Sequence, residues 1–280
     1  MTRWRKGSRG SWVGIALTAL VAIPAVFASA VAPYNPFAIA GPPLAPPSGT
    51  HLMGTDALGR DLFSSVVHGA RTSLMVGVGV TVPAACIGLI VGMTAGYVGG
   101  WVDGALMRVT EFIQIIPRFF LAIVVLAIFG DGYRNLVFVL AISSWPVIGR
   151  AIRSQVLVIR ELPYVEAARM LGARTPRVLR REVLPSMWPT LSVMSALLVA
   201  DVILIEASLS FLGLGDPNRA SWGRLASDAQ QYLRSAWWLA LFPGCAIVVA
   251  VMGVNLIVDR SSVSATGDRE MMRSQAAPSS

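Results

Sequence analysis

Six apolar runs dominate this chain, from about Trp12 to Ala32, Leu74 to Tyr97, Phe112 to Phe129, Leu136 to Gly149, Trp188 to Leu214 and Trp237 to Val258. A helix needs roughly 20 apolar residues to cross a hydrocarbon layer about 30 Å thick, and backbone inside that layer must satisfy its own hydrogen bonds. An all-α polytopic membrane protein of six transmembrane helices is therefore the expected fold class. The composition agrees, with 55% hydrophobic and only 14% charged residues among 280. The fourth run is short and carries Trp145-Pro146 near its end, so its helix is expected to continue past Arg150.

The net charge of +8 is explained by where the cations fall. Positive residues are retained on the cytoplasmic side of short flanking segments. With both termini inside, the inner segments hold Arg3, Arg5, Lys6 and Arg9, then Arg108, the set from Arg150 to Arg181, and Arg260, Arg269 and Arg273. The outer segments hold Arg60, Arg71, Arg134, Arg219, Arg224 and Arg234. That asymmetry accounts for the basic balance through membrane lipid and topology and leaves no call for nucleic acid. Arg3 to Arg9, the first apolar run and Ala28-Ser29-Ala30 resemble a cleaved signal peptide, but a run of about 21 residues is long for a signal core, and a retained helix is preferred. The proline-rich stretch after it, Pro33 to Pro47, reads as an extended external connector.

Catalytic and metal chemistry find little to work with. Cys86 and Cys245 lie inside apolar runs and read as small buried hydrophobes. His51 and His68 lack a ligand cluster of metal spacing, and no metal site is expected. Neither a Walker A pattern, a Gly-x-Ser-x-Gly elbow nor a His-Glu-x-x-His helix occurs. The chain is read as non-catalytic and as binding no cofactor, so any ATP chemistry belongs to another chain. In the second run Gly88, Gly92 and Gly96 recur every four residues and mark a face for close helix packing.

The polar segment from Arg160 to Pro185 is too charged for lipid yet rich in helix signals. Pro163 suits a first helical position, and Gly172 suits a left-handed turn after a short helix. Thr175-Pro176 suits the start of a second helix, which Pro185 is expected to terminate. Glu166-Ala167-Ala168, Gly172 and Leu184-Pro185 in this order resemble the EAA motif of the membrane subunits of bacterial ABC importers. His51 to Leu74, Glu206 to Gly215, Ser221-Trp222-Gly223, Leu241 to Gly244 and Asn255-Leu256 with Asp259 resemble the C-type permeases of dipeptide and oligopeptide transporters. The resemblance covers about His51 to Asp259.

What it implies is a permease subunit of an ATP-driven importer in the bacterial cytoplasmic membrane, carrying dipeptides or oligopeptides, with nickel or glutathione as alternative cargo. It also implies a cytoplasmic coupling helix between helices 4 and 5, with Glu166, Ala167, Ala168, Gly172, Leu184 and Pro185 as its ATPase-coupling residues. The implied partners are a second, homologous permease, two nucleotide-binding ATPase subunits and an external or periplasmic substrate-binding protein. The division expected is 1–73 for the N-terminal segment, first helix and external stretch, 74–259 for the permease core, and 260–280 for a disordered cytoplasmic tail. A secondary transporter is the rival class, disfavoured by the lack of an internal repeat.

Ser65, Glu111, Gln114, Arg118 and Asp201 depart from the family's usual residues. At about 1.5 Å per residue, Asp201 falls roughly 20 Å along the fifth run, where a carboxylate costs about 2.5 to 3.5 kcal/mol. It either faces a water-filled pathway, with Gln114 as a second candidate, or is hydrogen-bonded inside the bundle near Gln114 or Glu111. Glu206, near the outer boundary, and Trp222 are candidates for ordering the external loop.

Overall fold

The computed structural model describes the backbone of residues 6–275 and the side chains of residues 12–258. All regular structure among them is helical. The helices are α1 (Lys6–Val26), α2 (Ala28–Val31), α3 (Leu62–Val98), α4 (Gly100–Ile115), α5 (Arg118–Phe129), α6 (Tyr133–Ile159), α7 (Pro163–Met170), α8 (Thr175–Val178), α9 (Leu184–Phe211), α10 (Trp222–Asp228) and α11 (Trp238–Gln275). Four of them are long and apolar enough to cross a membrane, or five if α4 and α5 are counted as one broken span. The apolar part of α1, Trp12–Val26, is shorter than a span usually needs. The tail expectation for 260–280 falls where side chains, and from 276 onward the backbone, lie outside the described residues.

Three expectations about the elements are corrected. The third apolar run is two helices bent by 71°. Its break lies at Ile116-Pro117: a proline forces the residue before it out of the helical region, and Ile116 is extended at φ −89°, ψ 123°. Pro185 terminates nothing, because helical structure continues from Thr175 to Phe211. A π-helical turn, Leu179–Val183, precedes it, with the Leu184 amide donating to the Leu179 carbonyl five residues back. This widened turn already breaks the regular ladder where proline cannot donate. Cys86 and Cys245 are free and exposed, not buried; apolar surface in a membrane chain has no need to turn inward. As expected, α6 runs through Pro146 and past Arg150 to Ile159.

By contacts the chain divides into two units, residues 1–74 with 206–213 and 218–280, and residues 75–205 with 214–217. In the first, α1 packs along α11, where a Cβ on Gly14 would lie 2.9 Å from the Leu256 Cβ and one on Gly253 would lie 2.7 Å from Thr18 Oγ1. Its proline-rich stretch is irregular, with isolated bridges pairing Ile39 with Arg60 and Thr55 with Asp61. Asp61 caps the start of α3: it accepts from the Ser64 amide at 2.8 Å and the Ser64 hydroxyl at 2.7 Å, and pairs with His51 Nδ1 at 2.9 Å. In the second unit, α6 is the central element. Against it lies the glycine stripe of α3, where a Cβ on Gly92 would come within 2.4 Å of the Gly149 carbonyl and one on Gly88 within 2.8 Å of the Ile148 Cβ. The four-residue repeat thus makes a backbone-to-backbone contact that any side chain would push apart.

Candidate functional site

The helix pair α7 and α8 fills the connection between α6 and α9. Pro163 sits at the first position of α7, where its missing donor costs nothing. Gly172 follows the helix with φ +79°, a conformation that L side chains rarely adopt. The next short helix begins at Thr175 with Arg174 as its cap residue, one position earlier than the Thr175 cap expected. Val165, Val178 and Val183 are buried and hold the pair to the chain. The opposite side is open: Glu166 and Ala167 are exposed, Ala168 is half-buried, and the large apolar residues Met170 and Leu171 are 80% and 88% exposed. Leu184 is half-buried and Pro185 exposed at the start of α9.

Two arginines tie this pair to the end of α3. Arg169 Nε donates to the Tyr97 hydroxyl at 3.1 Å while its guanidinium lies 4.8 Å over the Tyr97 ring. Arg160 Nη1 donates to the Gly96 carbonyl at 2.9 Å, and Gly99, at φ +70°, brings the chain round so that a Cβ there would stand 3.2 Å from Arg160 Nη1. Arg153 grips Asp103 of α4 through Nε and Nη2, each 2.5 Å from a different carboxylate oxygen. The sequence offered the arginines only as a charge count; Tyr97 and Asp103 carried no signal because they lie 72 and 50 residues from their partners.

Within the spans, Asp201 is met by Arg118: Nη1 lies 2.8 Å from Asp201 Oδ2 and also reaches the Ser144 hydroxyl at 3.3 Å. Gln114, half-buried in the last turn of α4, is not joined to Asp201. Two residues that each depart from the usual pattern of the resemblance are thus one feature, which a per-position reading could not see.

Glu206 is 2% exposed near the end of α9. Its oxygens accept from the Ser73 hydroxyl at 2.9 Å and the Ser210 hydroxyl at 2.8 Å, and Ser221 is a further hydrogen-bond partner. Ser221 also caps α10 by accepting from the Arg224 amide. Beside it Trp222 is 1% exposed and donates from Nε1 to the Val66 carbonyl at 3.0 Å. A Cβ on Gly223 would come 2.2 Å from the Ala207 carbonyl oxygen, so α10 is seated directly on the backbone of α9. At the far end of α10, burial pushes the Asp228 carboxyl above its ordinary range, opposed by Arg224 and Arg60 and assisted by Asp56.

This architecture has known relatives. The family model described as the inner membrane component of binding-protein-dependent transport systems matches residues 88–263. The chain belongs to that family. It is 36% identical over 260 residues to the di/tripeptide transport system permease protein of Pseudomonas aeruginosa, covering 90% of this chain and 86% of the relative. It is 38% identical over 214 residues to the dipeptide transport system permease protein of Alkalihalophilus pseudofirmus, covering 76% and 70%. The glutathione transport system permease protein of Pectobacterium atrosepticum is 38% identical over 214 residues, covering 76% and 71%. As an inner membrane component, the chain is a multi-pass membrane protein of a transport system and not a member of a catalytic class. Systems of this kind work with a substrate-binding protein and an ATPase, and the matched region contains α7, the Arg118–Asp201 pair and Glu206.

Proposed function

We propose that the chain is the permease half of an ATP-driven importer of short peptides, coupled to its ATPase through α7. The observation that carries this is an exposed helix in the right family: α7 and the turn after it present Glu166, Ala167, Met170 and Leu171 outward, in a chain that belongs to the binding-protein-dependent systems. Small side chains at Ala167 and Ala168 allow close approach of a partner, Gly172 fixes the angle between the two short helices, and Leu184-Pro185 anchor the second to α9. Exposed apolar residues beside a carboxylate suit a protein groove better than water.

In this reading six spans are formed by α1 with α2, α3, the broken pair α4 and α5, α6, α9, and α11, with both termini in the cytoplasm, as the arginine distribution supports. The permease core is 74–259. A second, similar permease completes the pathway, two ATPase subunits hold ATP and Mg, and an external binding protein delivers cargo. Glu206 and Trp222 order the external segment around α10, and Asp201 with Gln114 belongs to the pathway side of the bundle. Peptide cargo is favoured by the peptide transport named for several relatives. Glutathione is the second reading, supported by one relative at 38% identity. The test is to purify the chain with its natural partners in liposomes and measure which ligand stimulates ATP hydrolysis and is taken up. Stimulation by di- or tripeptides is expected; stimulation by glutathione alone, or by no peptide, would overturn the cargo assignment.

A further inference from the structure

The second unit contains two carboxylate–arginine pairs built differently. Arg153 holds Asp103 with two nitrogens on two oxygens, a fork that engages one whole edge of the guanidinium and both carboxylate oxygens. Between Arg118 and Asp201 the close approach is Nη1 to Oδ2 at 2.8 Å, with no forked pair of hydrogen bonds among the described contacts, and that same Nη1 serves Ser144. The guanidinium therefore keeps an unused Nε and Nη2 edge among the described contacts, and the carboxylate keeps Oδ1.

Depth makes this arrangement unusual. Asp201 lies about 25 Å along α9 from Leu184 and about 15 Å from Phe211 at 1.5 Å per residue, and Ser144 lies in the middle of α6, roughly 16 Å from Tyr133. The pair thus sits well inside the spans, yet the side chains of Arg118 and Asp201 are 29% and 43% exposed. A half-open ion pair at that depth cannot face hydrocarbon, and intramembrane charges of this kind face water, protein or a passing solute. Arg118 is also the first residue of α5, directly after the 71° break from α4.

Resting on the peptide reading above, we propose that the Arg118–Asp201 pair is a specificity element of the cargo pathway that engages zwitterionic cargo. The free guanidinium edge takes the carboxylate end and the free carboxylate oxygen takes the ammonium end. A solute carrying both charges can exchange partners with the pair while every charge remains compensated. A solute with one end blocked leaves one member of the pair facing a neutral group, which is costly where water is scarce. Single-point contacts suit this exchange; the forked Asp103–Arg153 pair does not.

The experiment uses the complete transporter in proteoliposomes with its own binding protein. Uptake of a dipeptide with free termini is compared with uptake of its N-acetylated and C-amidated forms. The binding protein is common to all variants, so its own preference cancels when ratios are compared. The double variant R118M/D201L removes the pair without leaving a lone charge in the membrane. Its expected behaviour is normal co-purification of the partner subunits and a preference for free termini reduced about tenfold, the size of one lost charge-assisted contact. R118K and D201E keep both charges and change reach, and smaller shifts in the same preference are expected, R118K chiefly against the amidated form and D201E chiefly against the acetylated one. Unchanged preference in an assembled double variant overturns the proposal, as does loss of assembly in the double variant with R118K and D201E both retaining the original preference. If the unaltered complex takes up no peptide, the peptide reading falls and this assignment with it; uptake with unaltered preference in the variants defeats this assignment alone.

Discussion

The short helices that precede and follow α9 in the chain, α7 with α8 and then α10, are built in opposite ways. At one end α7 and α8 carry exposed Met170 and Leu171, and open space surrounds Gly172. At the other end α10 is seated by a buried tryptophan, a buried carboxylate with three serine partners, and a glycine pressed on the Ala207 carbonyl. The second joint is closed within the chain, since Glu206, Ser221 and Trp222 Nε1 all find partners there. The first is incomplete by the same standard, since it exposes apolar surface that no part of the described chain covers. In the proposed reading, the difference separates a part that holds shape from a part left open for another protein.

Substitutions can break or sharpen this contrast. The largest effect is expected from Gly223→Val, because even a first carbon would stand 2.2 Å from backbone that cannot yield; unseating of α10 should appear as rapid protease cleavage near residues 216–228 and low yield of assembled protein. Trp222→Ala should follow, at about 3 to 5 kcal/mol for removal of a buried aromatic, read as a lower thermal transition in detergent. Glu206→Leu leaves the Ser73 and Ser210 hydroxyls without their acceptor and should cost about 1 to 3 kcal/mol, whereas Glu206→Gln, which keeps an acceptor oxygen, should cost less in the same measurement.

On the other side the expected stability effects are small and the functional ones large. Gly172→Val meets no neighbour, so its cost is the left-handed backbone alone, about 1 to 2 kcal/mol; Gly172→Asn should restore most of it. Thermal transitions of the purified chain should move little for either, while ATPase co-purification should fall for the valine and recover for the asparagine. A large fall in stability with Gly172→Val would show that this turn is part of the chain's own core.

The smallest effect concerns pH. The folded-state pKa of Asp228 is raised by burial, so its contribution runs opposite to that of a salt-bridged carboxylate. Stability is greatest while the group is protonated in both states, and it declines as pH rises from the unfolded value, about 3.9, through the raised folded value. Asp228→Asn should flatten that decline in a series of thermal transitions from pH 4 to 8, with little change at the acid end. A steeper decline in the variant would contradict the burial argument.

The legible parts of this molecule are those written in local sequence. Pro163, Gly172 and the four-residue glycine repeat each state a local backbone or packing rule, and each takes the form expected. Ser210, one helical turn from Glu206, could also have been foreseen as its partner. The break at Ile116-Pro117 also follows a local rule, but the apolar residues on both sides of Pro117 match a single span equally well. Pro185 differs for the converse reason: a proline rule holds for regular helix, and the π-helical turn before it, flanked by the buried Val178 and Val183, follows no local pattern. Arg118 with Asp201, Arg153 with Asp103 and Arg169 with Tyr97 were out of reach because each pair is assembled by the packing of helices far apart in sequence.

The central claim is that the chain transmits ATP-driven motion through the exposed side of α7, and Ala167 tests it most directly. It is exposed on that helix, so Ala167→Trp is accommodated by the chain itself and obstructs only what docks there. The measurement is ATP hydrolysis stimulated by cargo-loaded binding protein, made on the complete transporter in liposomes beside co-purification of each subunit. The account predicts a chain that still inserts and pairs with its fellow permease but loses the ATPase subunits, or keeps them with stimulation and uptake abolished. Full retention of ATPase docking and of stimulated hydrolysis by Ala167→Trp would contradict it.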